Sequence, residues 1–213
     1  MRFRAILFDL DGTLIDSTRL ILESYHHTMR VHRGQTLPDS EWIEGLGTPL
    51  RVQIRRFTSD DDELQRMIAT YREWNFANHD AMVRAFPGAP ETVRDLKSAG
   101  AKLAIVTSKN RLGVERGLAV CGFDGLFETL VTSDDLEASK PDPAPVLAAL
   151  HKLGVTAGST LFVGDSPHDI VAGRKAGTWT AACLWGPFAR ERLAAERPDY
   201  YLGSIRELPG LAA

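Results

Sequence analysis

Polar side chains follow four predicted strands, at the point where each strand ends. They are two carboxylates, a hydroxyl pair, a lysine and two more carboxylates: Asp9 and Asp11, Thr107 and Ser108, Lys140, Asp165 and Asp169. Carboxylates are ligands that Mg²⁺ prefers, while hydroxyl groups, backbone N–H groups and a lysine can bind phosphoryl oxygens. The set therefore indicates phosphoryl transfer, which needs a cation, fixed donors and a nucleophile in line with the leaving group.

The first pair lies in the stretch FDLDGTLIDS, and its spacing suggests two different roles. Residues i and i+2 of an extended strand share a face, so Asp11 is expected to stand beside Asp9. Asp9 would attack and form an aspartyl-phosphate, which water then hydrolyses. Asp11 would protonate the leaving oxygen and then deprotonate the attacking water. Asp9 and Asp165 would provide the carboxylates for Mg²⁺.

Each of these residues also has a purely structural interpretation. Asp-Gly is a common turn pair, and several side chains stand where they could cap a helix: Thr13, Asp16, Ser17, the Thr107/Ser108 pair and Asp165. Lys140 could be a solvated lysine before a proline, and Asp169 an exposed helical aspartate. The occurrence of all of them together, in this order, favours the catalytic interpretation.

The elements that must position these residues alternate between strand and helix. From Pro87 onwards, β-rich runs such as KLAIVTS, ETLVTS, STLFVGD and TWTAACLW are separated by helical patterns, and FRAILFD adds a strand at the start. Several helical patterns end at a glycine: Gly100, Gly154 and Gly177. The alternation predicts an α/β fold with a doubly wound, Rossmann-type parallel sheet. Ligands of such sheets bind beyond the carboxyl ends of the strands.

A block without convincing strands interrupts this pattern directly after the first strand. Four stretches in it predict helices: TRLILESYHHTMRVH, PDSEWIEGLG, PLRVQIRRF and DDDELQRMIATYREWNFANHD. Ser59 is the predicted cap of the last helix, whose first turn is acidic. We therefore expect an all-helical cap domain over residues 17–84, inserted into an α/β core of residues 1–16 and 85–213.

Composition and charge exclude several kinds of partner. The chain has 213 residues and a net charge of −3, which gives no reason to expect nucleic acid or an acidic membrane surface. No apolar run approaches the ~20 residues needed to span a bilayer, and the short N-terminal run does not predict a signal peptide. Cys121 and Cys183 stand far apart and lack metal-binding spacing, so neither a disulfide nor a zinc site is expected. This use of cysteine fits a reducing cytoplasm. The sequence does not indicate an oligomeric state.

With these residues assembled, the chain resembles the haloacid dehalogenase (HAD) superfamily, in its phosphatase branch with a helical C1-type cap. The stretch DLDGTLIDS matches that family's DxDGTLxDS almost letter for letter. IVTSK is similar to the family's hydroxyl motif, SKPDP to its lysine motif and VGDSPHDI to its GDxxxD motif. With the family-like FPGAPETVRDLKSAG, the resemblance covers essentially the whole chain.

The resemblance implies a role for each matched position. Asp9 would be the nucleophile and a Mg²⁺ ligand, and Asp11 the acid/base, with its backbone carbonyl also on the metal. Asp165 would complete the metal site, and Asp169 would support it through water or hydrogen bonds. Phosphate would be bound by residues of three motifs: Gly12, Thr107, the N–H group of Ser108, and Lys140. The cap would close over the site and exclude water.

Alternatives to a phosphatase follow from the same residues. The dehalogenases that name the superfamily lack an acid/base aspartate at the position of Asp11, which argues against their reaction. A sugar-phosphate mutase of the same fold stays open. A non-enzymatic receiver domain also uses aspartates, a hydroxyl residue and a lysine around Mg²⁺. Its acceptor aspartate, however, lies in the middle of a chain about half as long.

Two small anionic substrates are suggested. The chain as a whole looks like the phosphoglycolate phosphatases, whereas YREWNFANHDAMV and AGTWTAACLWG resemble a branch that hydrolyses inorganic pyrophosphate. Arg51 and Arg55, near Arg56, share a helical face and are candidate substrate contacts in the cap. His79, near the return to the core, is a further candidate. A solvated basic face and an ordinary linker residue are the competing interpretations.

Overall fold

The structure is a computed structural model that describes residues 2–212. Within these residues, a parallel six-stranded sheet forms the centre of the molecule. In chain order the strands are β1 (Ala5–Phe8), β2 (Ile15–Asp16), β3 (Arg84–Ala85), β4 (Lys102–Val106), β5 (Thr129–Val131), β6 (Thr160–Gly164), β7 (Trp179–Cys183) and β8 (Tyr200–Leu202). The strand order in the sheet is β5-β4-β1-β6-β7-β8, and β2 pairs with β3 in a separate antiparallel ribbon.

Within residues 2–212, ten α-helices surround the sheet or form the segment between β2 and β3. In chain order they are α1 (Thr18–Arg33), α2 (Asp39–Ile43), α3 (Leu50–Arg55), α4 (Asp61–Met82), α5 (Ala89–Ser98), α6 (Arg111–Val120), α7 (Ala144–Leu153), α8 (Pro167–Ala176), α9 (Arg190–Ala194) and α10 (Leu208–Ala212). None of the helices described in residues 2–212 is long and apolar enough to cross a membrane.

Both faces of the sheet are covered, because successive residues of its central strands point to opposite sides. Phe8 packs on one face with residues of α5 and α6, such as Val93 and Val114. Leu7 packs on the other face with residues of α7 and α8, such as Val146. β1 lies between β4 and β6, and every one of its side chains is buried. The predicted doubly wound α/β fold is confirmed.

Helices α1 to α4 have a hydrophobic core of their own. α1 packs along α4, and Tyr25 stacks on Trp42 with ring centroids 4.1 Å apart. The predicted cap of α4 at Ser59 is wrong by one residue: Asp60 is the N-cap, and its carboxylate accepts a hydrogen bond of 2.6 Å from the Glu63 N–H group. A run of acidic residues offers several possible caps, and the backbone turn selects one of them.

The β2–β3 ribbon stands where the chain leaves the α/β part and returns to it. Asp16 pairs with Arg84 across the ribbon. The predicted division of the chain at residues 17 and 84 falls at this ribbon, and it stays a prediction.

One strand of the sheet has no counterpart in the sequence patterns. β8 contains three residues, and it pairs only with β7 at the edge of the sheet. Such a short run has no periodicity of its own, so its extended conformation depends on the neighbouring strand.

Candidate active site

The loops after β1, β4 and β6 meet at the carboxyl edge of the sheet, beneath the helical segment. β1 and β6 deliver Asp9 and Asp165 directly, and β4 delivers Thr107. A cavity of about 620 Å³ opens at this edge. Seven of the predicted site residues line it: Asp9, Asp11, Gly12, Arg51, Thr107, Ser108 and Asp165. The sheet topology therefore brings together side chains that are more than 150 positions apart in the sequence.

Lys140 lies behind the cavity wall, among carboxylates. Its Nζ atom is 2.9 Å from Asp9 Oδ1 and 2.5 Å from Asp169 Oδ1, and it donates to the Val106 carbonyl at 3.2 Å. Only 2% of the residue is exposed, so it is not a solvated lysine. Burial disfavours its charge, but the carboxylates of Asp169 and Asp9 outweigh that effect and raise the pKa of Lys140 above its usual range. Lys140 is a buried ammonium group.

Asp169 joins this lysine to the first turn of α8. Its Oδ2 atom accepts hydrogen bonds from the Ser166 backbone N–H group at 3.0 Å and the Ser166 hydroxyl at 2.6 Å. Ser166 is the N-cap of α8 and completes a reciprocal capping box with Asp169. Since Asp169 is fully buried and both of its oxygens have partners, it is not an exposed helical aspartate. Its contacts suit a residue that holds Lys140 in place.

Asp9 and Asp165 are buried carboxylates whose charge Lys140 compensates only in part. Burial raises the pKa of Asp9 to about 7 against the opposing effect of Lys140. Burial, together with the carboxylates of Asp169 and Asp9, raises the pKa of Asp165 well above its usual range. Carboxylate oxygens of Asp9, Asp165 and Asp169 lie within 4.8 Å of one another. A cluster of oxygen donors that repel one another is what a hard divalent cation would stabilise.

The backbone packs directly against the Asp165 side chain at two glycines, Gly12 and Gly186. Gly12 has φ +85°, and a Cβ atom there would lie 2.4 Å from Asp165 Oδ2. A Cβ atom at Gly186 would lie 2.5 Å from Asp165 Cβ. Thr13 donates a hydrogen bond of 2.8 Å to Asp165 Oδ1. Any side chain at position 12 or 186 would therefore displace this carboxylate.

Asp11 is held from two sides. Its Oδ1 atom accepts hydrogen bonds from the Ser17 hydroxyl at 2.5 Å and from Lys109 Nζ at 2.8 Å. Ser17 stands at the N-cap of α1 but makes no side-chain capping bond, so the capping interpretation of this residue is wrong. No motif or periodicity predicted a role for Lys109, although it directly follows the hydroxyl pair.

The hydroxyl pair connects the sheet to the helical segment. The Ser108 hydroxyl donates a hydrogen bond of 2.8 Å to the Gly47 carbonyl, in the loop before α3. Neither Thr107 nor Ser108 caps α6, because Asn110 is its N-cap and accepts from the Gly113 N–H group. The helical segment also contributes polar residues to the cavity lining: Thr48, Arg51, Gln53, Arg72 and Asn75.

The three candidate substrate contacts in the helical segment lie in different places. Arg51 lines the cavity. Arg55 and His79 are not among the described residues that line it. Arg55 pairs with Asp61 at the start of α4 and donates to the Ser59 carbonyl. His79 is buried, with its Nδ1 atom 2.9 Å from Asp80 Oδ1. Local partners therefore draw both side chains away from the cavity.

A parallel sheet with a polar site at its carboxyl edge is typical of α/β proteins that bind a ligand at that edge. Residues 6–183 match the family of haloacid dehalogenase-like hydrolases, and the chain belongs to that family. The pyrophosphatase PpaX of Anoxybacillus flavithermus is 40% identical over 208 residues, which cover 98% of this chain and 96% of the relative. The resemblance drawn from the sequence motifs, and the expectation of a hydrolytic enzyme, are confirmed.

Two solved structures share the whole architecture. A predicted phosphoglycolate phosphatase from Haemophilus somnus 129PT superimposes with a TM-score of 0.92 and 26% identity, over 100% of this chain and 99% of that one. A β-phosphoglucomutase candidate from Bacteroides vulgatus has a TM-score of 0.83 and 28% identity, over 98% and 86% of the two chains. The proteins to which this chain is similar are therefore named as a pyrophosphatase, a phosphoglycolate phosphatase and a phosphoglucomutase, the three kinds of enzyme that the sequence suggests.

Proposed function

We propose that this protein is a Mg²⁺-dependent phosphohydrolase that works through an aspartyl-phosphate on Asp9, with inorganic pyrophosphate as its substrate. The observation that carries the proposal is the cluster of Asp9, Asp165 and Lys140 at the carboxyl edge of the sheet, whose two carboxylates line a cavity of about 620 Å³. The cluster combines a nucleophile, a place for a divalent cation and a fixed positive charge, which together are what phosphoryl transfer requires.

The residues present fit a bound Mg²⁺ ion. Asp9, Asp165 and the backbone carbonyl of Asp11 would hold it, since Mg²⁺ is usually bound by one or two carboxylates and keeps several waters. The ion would offset the negative charge of the carboxylates and of the phosphoryl group. The three buried carboxylates that lie close together at this point are those of Asp9, Asp165 and Asp169.

The chain's own residues account for both halves of the reaction. An oxygen of Asp9 attacks the phosphorus, while Asp11 gives its proton to the oxygen that leaves. Thr107, the Ser108 N–H group and Lys140 bind the oxygens of the transferred group and stabilise their charge. Asp11, now a carboxylate, takes a proton from the water that hydrolyses the aspartyl-phosphate. The enzyme then returns to its starting state with Asp11 protonated.

We favour pyrophosphate over the other candidate substrates because the chain is similar to a pyrophosphatase over almost its whole length. The PpaX relative is 40% identical over almost the whole length of both chains, including the cap segment. The sequence motifs placed the phosphoglycolate branch first, and the structural neighbour with 26% identity keeps phosphoglycolate as a second candidate. Both molecules join a phosphoryl group to a second anionic group, and Arg51 adds a positive charge to the cavity lining.

A sugar-phosphate mutase is the third candidate, because one structural neighbour is a β-phosphoglucomutase candidate. We place the enzyme in the cytoplasm, where its two free, buried thiols, Cys121 and Cys183, would stay reduced.

Phosphate release by the purified protein tests the proposal. The substrates are pyrophosphate, 2-phosphoglycolate and a panel of sugar phosphates, each with Mg²⁺ and with EDTA. We expect pyrophosphate to give the highest kcat/KM and EDTA to abolish release. Asp9→Asn should lower kcat by at least ~10³-fold, because the amide is not a nucleophile.

Circular dichroism of Asp9→Asn is the control, and it should show an unchanged fold. A preference for 2-phosphoglycolate would replace the substrate and keep the mechanism. Isomerisation of a sugar phosphate without net phosphate release would show a mutase. Substantial Mg²⁺-dependent turnover by Asp9→Asn would contradict the nucleophile assignment.

A further inference from the structure

Each of the two aspartates of the first motif has its own lysine. Lys140 lies 2.9 Å from Asp9, on the side of the nucleophile. Lys109 lies 2.8 Å from Asp11, on the side of the acid/base, and it lines the cavity. The mechanism proposed above uses the first lysine and gives no role to the second.

The structure holds Lys109 firmly at the cavity wall. Its side chain is 14% exposed, compared with 56% for Arg51, another cation that lines the cavity. Its backbone N–H group donates to Thr107 Oγ1 at 3.2 Å, and its carbonyl accepts from the Ser133 N–H group at 3.1 Å. A cation with so little solvent around it interacts with a nearby anion more strongly than an exposed one does.

The absence of a side chain at Gly113 gives Lys109 its room. A Cβ atom at Gly113, in the first turn of α6, would lie 2.9 Å from Lys109 Cε. The aliphatic part of the lysine therefore lies against the start of α6, and the ammonium group is directed to Asp11.

The contact with Asp11 fixes where the ammonium group stands relative to the substrate. To give up its proton, Asp11 must come within about 2.6–3.2 Å of the leaving oxygen. Ser17 and Lys109 both bind Oδ1, and neither of these two hydrogen bonds uses Oδ2, which can serve for the proton transfer. Lys109 is then beside the leaving group, whereas Lys140 is beside the attacking carboxylate.

We propose that Lys109 is a specificity-determining residue that binds the anionic oxygens of the leaving group. The proposal rests on the function proposed above and deepens it. In pyrophosphate these oxygens are on the same phosphorus atom as the leaving oxygen, and in phosphoglycolate the carboxylate is one methylene further away. A neutral alcohol offers Lys109 nothing. Lys109 therefore selects substrates that carry negative charge next to the bond that breaks.

The proton balance of the reaction does not change. When the phosphorus–oxygen bond breaks and the Asp9–phosphorus bond forms, the proton of Asp11 goes to the leaving oxygen. Lys109 keeps its own proton throughout and stays an ammonium group. Its contribution is electrostatic, through the charge that accumulates on the leaving phosphate.

The test compares Lys109→Met with the wild-type enzyme on two substrates. One is pyrophosphate, and the other is phenyl phosphate, whose leaving group is neutral once protonated. We expect kcat/KM for pyrophosphate to fall by about 10- to 100-fold, the effect of losing one hydrogen bond to a charged group. The value for phenyl phosphate should fall by much less. Calorimetric titration of pyrophosphate into Asp9→Asn, with and without Lys109→Met, should show weaker binding in the double variant.

Two further variants separate charge from structure. Lys175→Met removes an exposed lysine of α8 and should leave both rates unchanged. Lys109→Arg keeps the charge and should recover part of the pyrophosphate activity. Thermal unfolding should show that all three variants are folded.

Equal losses on the two substrates would overturn the proposal, because Lys109 would then act only on Asp11. No recovery in Lys109→Arg would overturn it as well. A wild-type enzyme that hydrolyses phenyl phosphate but not pyrophosphate would refute the proposed substrate. In that case, the effect of the Lys109 variants could still be measured on phenyl phosphate, and a large loss there would overturn the role proposed for Lys109.

Discussion

Burying the charged side chains of this site is unfavourable in free energy, and the partners of Lys140 compensate for the burial of its charge. Its ammonium group has two carboxylates and a backbone carbonyl around it, on strands and loops far apart in the chain. A buried charge of this kind is stable only while its partners stay in place. The same lysine can therefore serve the reaction and hold the loops together.

Replacement of Lys140 should destabilise the protein strongly. Lys140→Met leaves the fully buried Asp169 without its cation, and we expect the free energy of unfolding to fall by ~3–5 kcal/mol. Urea denaturation of the Mg²⁺-free protein measures this loss.

Lys152→Met is the matched control for that measurement. Lys152 pairs with Asp135 on the surface, its side chain is 42% exposed, and its loss should cost only ~0–1 kcal/mol. Equal losses in the two variants would show that the burial of Lys140 does not carry the effect.

At the scale of the elements, the first turn of α8 does two things at once. Ser166 accepts a hydrogen bond from the Asp169 N–H group, which caps the helix. Its hydroxyl also donates to Asp169 Oδ2, which orients the carboxylate that binds Lys140. The start of α8 and the position of Lys140 thus depend on the same serine.

Removal of this cap should therefore affect both stability and activity. Ser166→Ala should lower the free energy of unfolding by ~1 kcal/mol, the usual cost of a lost N-cap. It should also lower kcat, because Asp169 and Lys140 lose their alignment. Asp60→Ala removes the cap of α4 and should cost a similar amount of stability with an unchanged kcat. The reverse pattern of activities would contradict this link between α8 and the site.

At the scale of the whole molecule, the helical segment contacts the sheet through the loop at Gly47. This glycine has φ +89°, and a Cβ atom there would lie 2.9 Å from Ser166 Oγ and 3.3 Å from His168 Cδ2. Its carbonyl accepts the hydrogen bond from Ser108. The loop thus leaves no room for a side chain between its backbone and the start of α8.

A methyl group at position 47 should push the helical segment away from the start of α8. Gly47→Ala should lower kcat/KM by about tenfold, since a misplaced cap positions the substrate poorly and admits water. Gly34→Ala is the control: it has φ +67° but nothing within 4 Å of the added Cβ atom. Both variants should lose ~1–2 kcal/mol of stability from the left-handed conformation, and only Gly47→Ala should lose activity. An equally active Gly47→Ala enzyme would refute the role of this contact.

The contribution of the buried His79 to stability should decrease as the pH falls through about 6.5. Burial lowers the pKa of His79, although its hydrogen bond with Asp80 opposes the shift, and burial lowers the pKa of His32 and His168 as well. Near that pH the unfolded chain therefore binds more protons at these histidines than the folded chain does, so their contribution to the free energy of unfolding is largest above that pH and falls below it. The raised pKa values of Asp9 and Asp165 act in the opposite direction, so His79 is isolated by comparison with a variant. Urea denaturation of the wild-type protein and of His79→Gln between pH 5 and 8 measures the difference in the free energy of unfolding, which should shrink as the pH falls; a difference that does not change with pH would exclude a contribution from His79.

The sequence by itself determined the sheet and which polar residues lie at its carboxyl edge. Alternating strand and helix patterns are local, and so are the polar residues after each strand, such as Asp9, Thr107 and Asp165. Because parallel strands share one carboxyl edge, local patterns were enough to predict that these residues meet. They were also enough to predict an inserted helical segment after β1.

Only the tertiary structure decided which of these groups contact one another. Lys140 binds Asp9 and Asp169, and Lys109 binds Asp11, through loops whose paths no periodicity describes. Arg51 and Arg55 share a helical face in the sequence pattern, yet only Arg51 reaches the cavity, because Asp61 of the next helix pairs with Arg55. Periodicity gives the face of an element, whereas the partner of a long charged side chain depends on which elements pack beside it.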